Sequence, residues 1–150
     1  AENSVPRVYL STASVMAGIA FSIAYLSLTL AISLAITSIS QMDLESALSI
    51  ILPHIMEFNL TSSPGRSVQM SKVMGEDVRD ITVIEAAIKA VEAIRKLETD
   101  IEIPQRLANY EVSKADFKEI SELATSYPFI TNSPRELDKN EIETILIAAY

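Results

Sequence analysis

His54 is the only histidine in a chain of 150 residues that contains no cysteine. An imidazole can act as a general base or bind a transition metal, but either role requires partner groups. No second histidine and no thiolate is present to join it, so a metal site built around this side chain is not expected. We therefore expect His54 to be a buried or helix-end imidazole whose hydrogen bonds are satisfied by the backbone.

The closely spaced carboxylates also have structural explanations. Asp43 and Glu45 would point about 200° apart on a helix, so they suit capping and interaction with the helix dipole rather than shared acid–base work. Glu76 and Asp77 follow a glycine and are expected on a solvated loop. Serine and threonine are plentiful, but no base is placed to activate one of them as a nucleophile. Four methionines are predicted to fill the core: Met42, Met56, Met70 and Met74.

Composition excludes several classes of function. With only three glycines, Gly18, Gly65 and Gly75, the chain can form neither a dinucleotide fingerprint nor a P-loop. The 20 acidic and 12 basic residues give a net charge of −8, which repels phosphate backbones, so we expect no nucleic-acid partner. The opening segment AENSVPR is not the basic region of a signal peptide, and we expect a cytoplasmic location.

Residues 8–42 contain no Asp, Glu, Lys or Arg. Such a run either crosses a membrane or lies in a buried helical core. Its many serine and threonine side chains, and the lack of a cationic flank beyond Arg7, favour the core. The run is large for so short a chain and should leave apolar surface uncovered. We therefore predict a homodimer, or a higher closed homo-oligomer, whose interface draws on residues before Asp43.

Start and stop signals predict one helical domain over residues 1–150. Thr82-x-x-Glu85 is a capping box, and its helix is predicted to bury a stripe of apolar residues. That stripe is Ile84, Ala87, Ile88, Val91, Ile94 and Leu97. The other helices are predicted from Pro6 through 17–22, over 26–37, from Asp43 toward Phe58 with Pro53 inside, from Pro64 to Gly75, and from the caps Ser113 and Asp138. No segment alternates as a strand would.

Five segments of this chain stand in a recognisable order and spacing. They are MAGIAFS (16–22), ILPHIMEFN (51–59), EAAIKAVEAIRKL (85–97), IEIPQRL (101–107) and TNSPREL (131–137). Together they resemble the helical C-terminal domain of the iron-containing (group III) alcohol dehydrogenases. The resemblance implies an all-α, multi-helix bundle of the dehydroquinate synthase-like type. In that family an N-terminal α/β domain binds NAD(P), and the helical domain supplies most of the metal site.

The resemblance implies that this domain holds two histidine metal ligands and a nearby catalytic histidine, and the chain departs from the family pattern at all three. The resemblance places histidines of an H-x-x-x-H and a P-H-G motif at Leu30, Leu34 and Leu44, with Asp43 and Glu45 in place of the flanking Pro and Gly. A leucine side chain has no lone pair for Fe²⁺ or Zn²⁺. We therefore predict that the metal site is lost and that the three leucines fill the vacated core space. His54 is not one of the family's metal ligands.

These observations favour a non-catalytic helical domain with a structural or regulatory role, or a remnant that still folds. No catalytic, cofactor-binding or metal-binding residue and no cofactor are predicted. One alternative is half of a split NAD(P)-dependent alcohol dehydrogenase that acts with a separate nucleotide-binding chain; the leucines argue against it, because a working partner would still need the ligands. The other alternative is a membrane-associated protein that uses residues 8–42.

Overall fold

The computed structural model describes residues 4–24, 28–135 and 137–150. These residues form seven α-helices joined by loops and short 3₁₀ turns, and this part of the chain contains no strand. The all-α prediction is confirmed. The helices are α1 (Ser4–Ala24), α2 (Leu28–Ile39), α3 (Leu44–Asn59), α4 (Pro64–Val73), α5 (Val83–Asp100), α6 (Phe117–Ser126) and α7 (Lys139–Ala148).

The helix starts follow the capping chemistry of the sequence. The Asp43 carboxylate accepts the backbone N–H of Ser46 in the first turn of α3 at 2.8 Å. At the start of α5, the Thr82 N–H donates to the Glu85 carboxylate at 2.8 Å, and the Glu85 N–H donates to the Thr82 hydroxyl at 3.2 Å. An equivalent capping box opens α7. Each cap satisfies amides that have no partner within the helix, so these three starts could be predicted locally.

Two predicted boundaries need adjustment. Ser113 caps a 3₁₀ turn over Lys114–Asp116, and α6 begins only at Phe117. The second helix was predicted over 26–37; residue 26 lies outside the described residues, and α2 continues to Ile39. Gly75 follows α4 with φ of 87°, the left-handed conformation predicted for it.

Four helices, α2, α3, α6 and α7, enclose the main hydrophobic core. Their fully buried side chains include Ile32, Ile51, Ile120 and Leu146, and Leu107 from the segment before α6 joins them. The Leu107 N–H donates to the carbonyl of Ala149 at 2.9 Å, which ties that segment to the end of α7. The core therefore depends on α7 as well as on α2.

Helix α5 buries only part of the predicted stripe, in which Ala87 and Val91 are buried as predicted. Ile84, Ile88 and Leu97 are 42%, 39% and 45% exposed, whereas the buried positions are mostly small. The buried hydroxyl of Ser71 on α4 donates to the Ala86 carbonyl of α5 at 2.5 Å, so the two helices pack closely there. Small side chains permit this close approach, and the larger ones are turned outward. The buried residues of α5 are Ala86, Ala87, Ala90, Val91, Ala93 and Glu98.

The uncharged run divides into two helices with opposite environments. On α2, six residues from Leu28 to Ile36 are buried. On α1, every side chain described between Ser4 and Ile23 is exposed. The prediction of a buried helical core therefore holds for α2 and is wrong for α1. None of the described helices is by itself long and apolar enough to cross a membrane; α1 and α2 meet that test only as a pair bent by 101°.

Candidate functional site

The positions at which the resemblance implies two metal ligands and a catalytic histidine lie at the margin of the core. Leu30 and Leu34 are one helical turn apart on α2, which places them on one face of that helix. Leu44 is the first residue of α3. All three are partly buried, and none belongs to the buried core cluster or to the side chains packed directly against it. The expectation that they are core leucines is therefore wrong, because all three keep partial contact with solvent.

The side chains available for ligation do not suit a metal ion. Among residues 4–24, 28–135 and 137–150, no three His, Cys, Asp or Glu side chains come together as a metal site would require. Next to Leu34, the hydroxyl of Ser33 is fully buried and has no hydrogen-bond partner in the described part of the chain. A lone neutral hydroxyl is a weak donor for Fe²⁺ or Zn²⁺. The iron expected of the family has no matching ligand set in these residues.

His54 is buried on α3, with 9% of its surface exposed. Its Nδ1 lies 3.8 Å from Glu57 Oε2, and the other oxygen of Glu57 accepts a hydrogen bond from Arg95 of α5 at 3.0 Å. Burial lowers the pKa of His54, the positive charge of Arg95 lowers it further, and Glu57 opposes both effects. The imidazole is therefore neutral at physiological pH. Its burial was predicted, but a carboxylate rather than the backbone is the polar group beside it.

Two surface grooves lie near α4 and the loop that follows it. The larger has a volume of about 540 Å³ and is lined by Arg66, Gln69, Met70, Val73 and Met74. The smaller, about 170 Å³, lies between α5 and the loop after α4, where Met74 and Glu76 line it. Met70 and Met74 are each 38% exposed in this region, so the prediction that they fill the core is wrong, whereas Met42 is buried as predicted. Among the residues that the structure describes, Arg66 is the only ionisable group lining the larger groove, which therefore offers contact surface but no acid–base pair.

The other predicted surface carboxylates serve the fold. Asp77 accepts two hydrogen bonds from the Arg79 guanidinium, at 2.9 and 2.7 Å, and these lower its pKa to about 2. Glu76 lies 3.7 Å from the Lys89 ammonium. Hydrogen bonds from Ser46 lower the pKa of Asp43, as its capping role requires. The lowered pKa values of Asp43 and Asp77 keep both carboxyl groups away from proton transfer near neutral pH.

Glu98 is a buried carboxyl group that the sequence analysis missed. Only 5% of the residue is exposed, and its Oε2 has no hydrogen-bond partner in the described part of the chain. Burial raises its pKa, and Arg95 offsets part of this effect. The available signal was its position: Glu98 lies seven residues after Val91, two helical turns along the buried side of α5. No nucleophile or second perturbed acid is described beside it, so it is a feature of stability rather than chemistry.

Replacing Glu98 with glutamine is expected to stabilise the protein at neutral pH by about 1 kcal/mol. Burial raises the pKa of Glu98 in the folded protein. The protonated carboxyl therefore makes its full contribution to the free energy of unfolding at pH values below the pKa that it has in the unfolded chain. That contribution is lost as the pH rises through the pKa of the folded state. Urea unfolding at several pH values should therefore show a Glu98→Gln advantage that vanishes near pH 4. Glu92→Gln, an exposed position on the same helix, should show no such trend. An advantage equal at pH 4 and pH 7.5 would contradict this explanation.

The whole chain matches one protein family. Residues 1–150 match the model of the Fe-containing alcohol dehydrogenase family, C-terminal. The 1,3-propanediol dehydrogenase of Klebsiella pneumoniae is 32% identical over 148 residues, which cover 99% of this chain and 38% of that enzyme. A methanol:N,N-dimethyl-4-nitrosoaniline oxidoreductase of Mycobacterium sp. is 34% identical over 116 residues, covering 76% of this chain and 27% of that protein.

The fold agrees with the sequence match. A crystal structure of 1,3-propanediol oxidoreductase superposes with a TM-score of 0.97 at 32% identity, covering 99% of this chain and 39% of that protein. The chain thus spans less than two fifths of the length of these relatives. Its helical architecture and the order of its motifs are those of their C-terminal part. This chain belongs to the Fe-containing alcohol dehydrogenase family and corresponds to the C-terminal domain of that family.

Proposed function

We propose that this chain is a non-catalytic helical domain of the Fe-containing alcohol dehydrogenase family, with a structural or regulatory role. The observation that carries the proposal is the set of leucines at positions 30, 34 and 44, where the family resemblance implies two histidine ligands and a catalytic histidine. Thiolate, imidazole and carboxylate groups are the protein ligands that hold iron or zinc. The described residues offer no three such groups together, which supports the loss of the metal site.

These 150 residues contain no dinucleotide-binding motif. A dinucleotide site requires a glycine-rich turn whose backbone approaches the pyrophosphate at the start of a helix. Gly18 lies within α1, Gly65 within the first turn of α4, and Gly75 after the end of α4. The three glycines are isolated from one another, so they cannot form that turn. The absence of such a motif supports a domain that does not bind NAD(P) by itself.

The alternative, half of a split oxidoreductase, rests on the short length of this chain compared with its relatives. The chain covers 38% of the Klebsiella 1,3-propanediol dehydrogenase, so a separate chain could supply a nucleotide domain. Such a partner would still need metal ligands from the helical half, and leucines at 30, 34 and 44 cannot provide them. We therefore favour the non-catalytic role. An NAD(P)-dependent alcohol oxidation by this chain alone is not expected.

Titration of NADH fluorescence with the purified chain tests the proposal. We expect no saturable change, because no described element is built to hold the pyrophosphate. A dissociation constant below about 100 μM, about −5.5 kcal/mol, would contradict the proposal. Competition with excess AMP separates a specific site from optical artefacts, since a real adenine site should release NADH. Oxidation of 1,3-propanediol with NAD by this chain alone would contradict the proposal equally.

A further inference from the structure

Helices α4 and α5 form a packing unit that is separate from the main core. They pack most extensively against each other, and α5 meets the four-helix core mainly at α3. Among the described residues, none of the buried side chains of α5 belongs to the hydrophobic cluster that α2, α3, α6 and α7 enclose. Two short segments, 60–63 and 101–106, connect this α4–α5 unit (residues 64–100) to the rest of the bundle. The unit can therefore open at its contact with α3 while the core stays folded.

A cluster of ionisable groups lies where α5 contacts α3. His54 of α3 is buried there, and its Nδ1 lies 3.8 Å from Glu57 Oε2. Arg95 of α5 donates to the other oxygen of Glu57 at 3.0 Å. The carboxylate of Glu57 thus lies between one permanent cation and one imidazole that can become a second cation. Glu98, which is buried one helical turn after Arg95, is a further ionisable group on this part of α5.

The other helices packed against α3 do not supply a charge to His54. Helix α2 contains no ionisable side chain. The ionisable side chains of α7 each contact a partner other than His54, in the pairs Lys139–Glu122, Glu141–Arg135 and Glu143–Ser121. Among the described groups, Arg95 and Glu57 are the ones whose charges act on His54. The charge state of this contact therefore depends on His54 and its two neighbours.

We propose that acidification opens the α4–α5 unit at its contact with α3, because protonation of His54 places a second positive charge beside Arg95. In the closed form the two cations would share Glu57, and burial would withhold the water that stabilises an imidazolium. In the open form the imidazole reaches water and takes up a proton at its ordinary pKa.

The direction of the pH dependence follows from the closed form. Burial and Arg95 lower the pKa of His54 there, and Glu57 opposes them. The preference for the closed form is therefore fully present above about pH 6.5, the ordinary pKa of the imidazole. It is lost as the pH falls from that value to the pKa of the closed form.

Glu98 titrates in the opposite sense and has to be separated from His54. Burial raises the pKa of Glu98, so its protonation favours the closed form as the pH falls. The Glu98→Gln variant removes this opposing effect. The contribution of His54 is therefore measured in the full chain that carries Glu98→Gln.

Amide hydrogen exchange of the Glu98→Gln chain at pH 7.5 and pH 5.5 tests the proposal. After correction for intrinsic exchange, we expect the opening constant of buried α5 amides, such as Ala90, to rise between about threefold and tenfold. Tenfold is the limit for an imidazole that stays neutral in the closed form down to pH 5.5. Core amides of α6 and α7, such as Ile120 and Leu146, should change less than about twofold. A smaller rise in α5, or an equal rise in α6 and α7, would overturn the proposal.

Three variants in the same background assign the effect to His54, whose ring signals are the only histidine signals in an NMR spectrum of this chain. His54→Gln should abolish the pH dependence of α5 exchange, whatever its opening constant at pH 7.5. Arg95→Gln removes the neighbouring cation and should raise the titration midpoint of His54. Lys96→Gln, which removes the adjacent exposed cation of α5, should leave that midpoint unchanged. A pH dependence that persists in His54→Gln, or equal midpoints in Arg95→Gln and Lys96→Gln, would refute this mechanism.

Discussion

Replacing Leu146 with alanine is expected to lower the free energy of unfolding by about 3 kcal/mol. Leu146 is fully buried where α7 meets the core formed with α2, α3 and α6. The change removes apolar contacts and leaves a cavity that the surrounding helices can close only in part. A domain of this size has an unfolding free energy of about 5–15 kcal/mol, so a large share of its stability would be lost. Urea unfolding at one protein concentration measures the effect.

The neighbouring residue provides the control for this substitution. Ile147 has the same number of side-chain carbons but is 61% exposed. Ile147→Ala should change the unfolding free energy by less than about 0.5 kcal/mol. Equal effects at the two positions would mean that α7 is not packed as the structure places it. The comparison therefore tests the register of α7 and its contribution to the core.

Local chemistry explains why the helix starts were predictable. Asp43, Thr82 and Asp138 each cap a helix. The side chain of each accepts a hydrogen bond from the backbone N–H three residues later. Such bonds depend on neighbours in sequence rather than on the tertiary fold. The start of α6 was harder to place because a 3₁₀ turn follows Ser113 before Phe117 begins the helix. The boundary between a 3₁₀ turn and an α-helix depends on whether each backbone N–H bonds to the carbonyl three or four residues earlier.

Burial was less predictable because it depends on the neighbouring helix. On α5, Ile84 and Ile88 have the apolar character of core residues, yet they are turned outward. The Ser71 hydrogen bond to Ala86 brings the backbones of α4 and α5 close together, and only small side chains fit between them. Apolar periodicity detects a helix with one preferred face but does not reveal how closely its neighbour approaches.

The uncharged run illustrates the same limit. Residues 8–42 predicted an apolar core, and α2 fulfils this with side chains such as Ile32 and Ile36. The equally uncharged α1 is exposed throughout its described side chains. Hydrophobicity sets the tendency toward burial, but a partner surface is needed to realise it. Among the described residues, the apolar surface predicted before Asp43 lies on α1.

The candidate site could be located but not characterised from sequence. The family resemblance singled out Leu30, Leu34 and Leu44, and their chemistry alone argued against metal binding. Their position at the margin of the core was not predictable, because it depends on how α2 and α3 pack with the other helices. Partial exposure also means that side chains introduced at these positions could reach solvent and dissolved ions.

Restoring two imidazoles at these positions should therefore create a metal site. We expect Leu30→His/Leu34→His to bind Zn²⁺ or Co²⁺ with a dissociation constant of about 10 μM, about −7 kcal/mol. Two histidines four residues apart on one helix face can share a tetrahedral ion, with water in the remaining positions. The wild-type chain, purified without chelator, should hold far less than one iron or zinc ion. Stoichiometric iron or zinc that stays bound to the wild-type chain after dialysis would contradict the proposed loss of the metal site.

Thermal unfolding provides a second measurement of the restored site. At about 1 mM Co²⁺, a hundredfold excess over the expected dissociation constant, the double variant should gain about 2.7 kcal/mol relative to the metal-free state. Leu30→His/Ser38→His is the matched control, because its two imidazoles stand about 12 Å apart along α2 and cannot share one ion. This control carries the same number of histidines, including His54, and should gain little from the metal. Similar stabilisation of both variants would show that the ion binds elsewhere. Stabilisation of the Leu30→His/Leu34→His variant alone would show that the two introduced imidazoles on this face of α2 bind the ion.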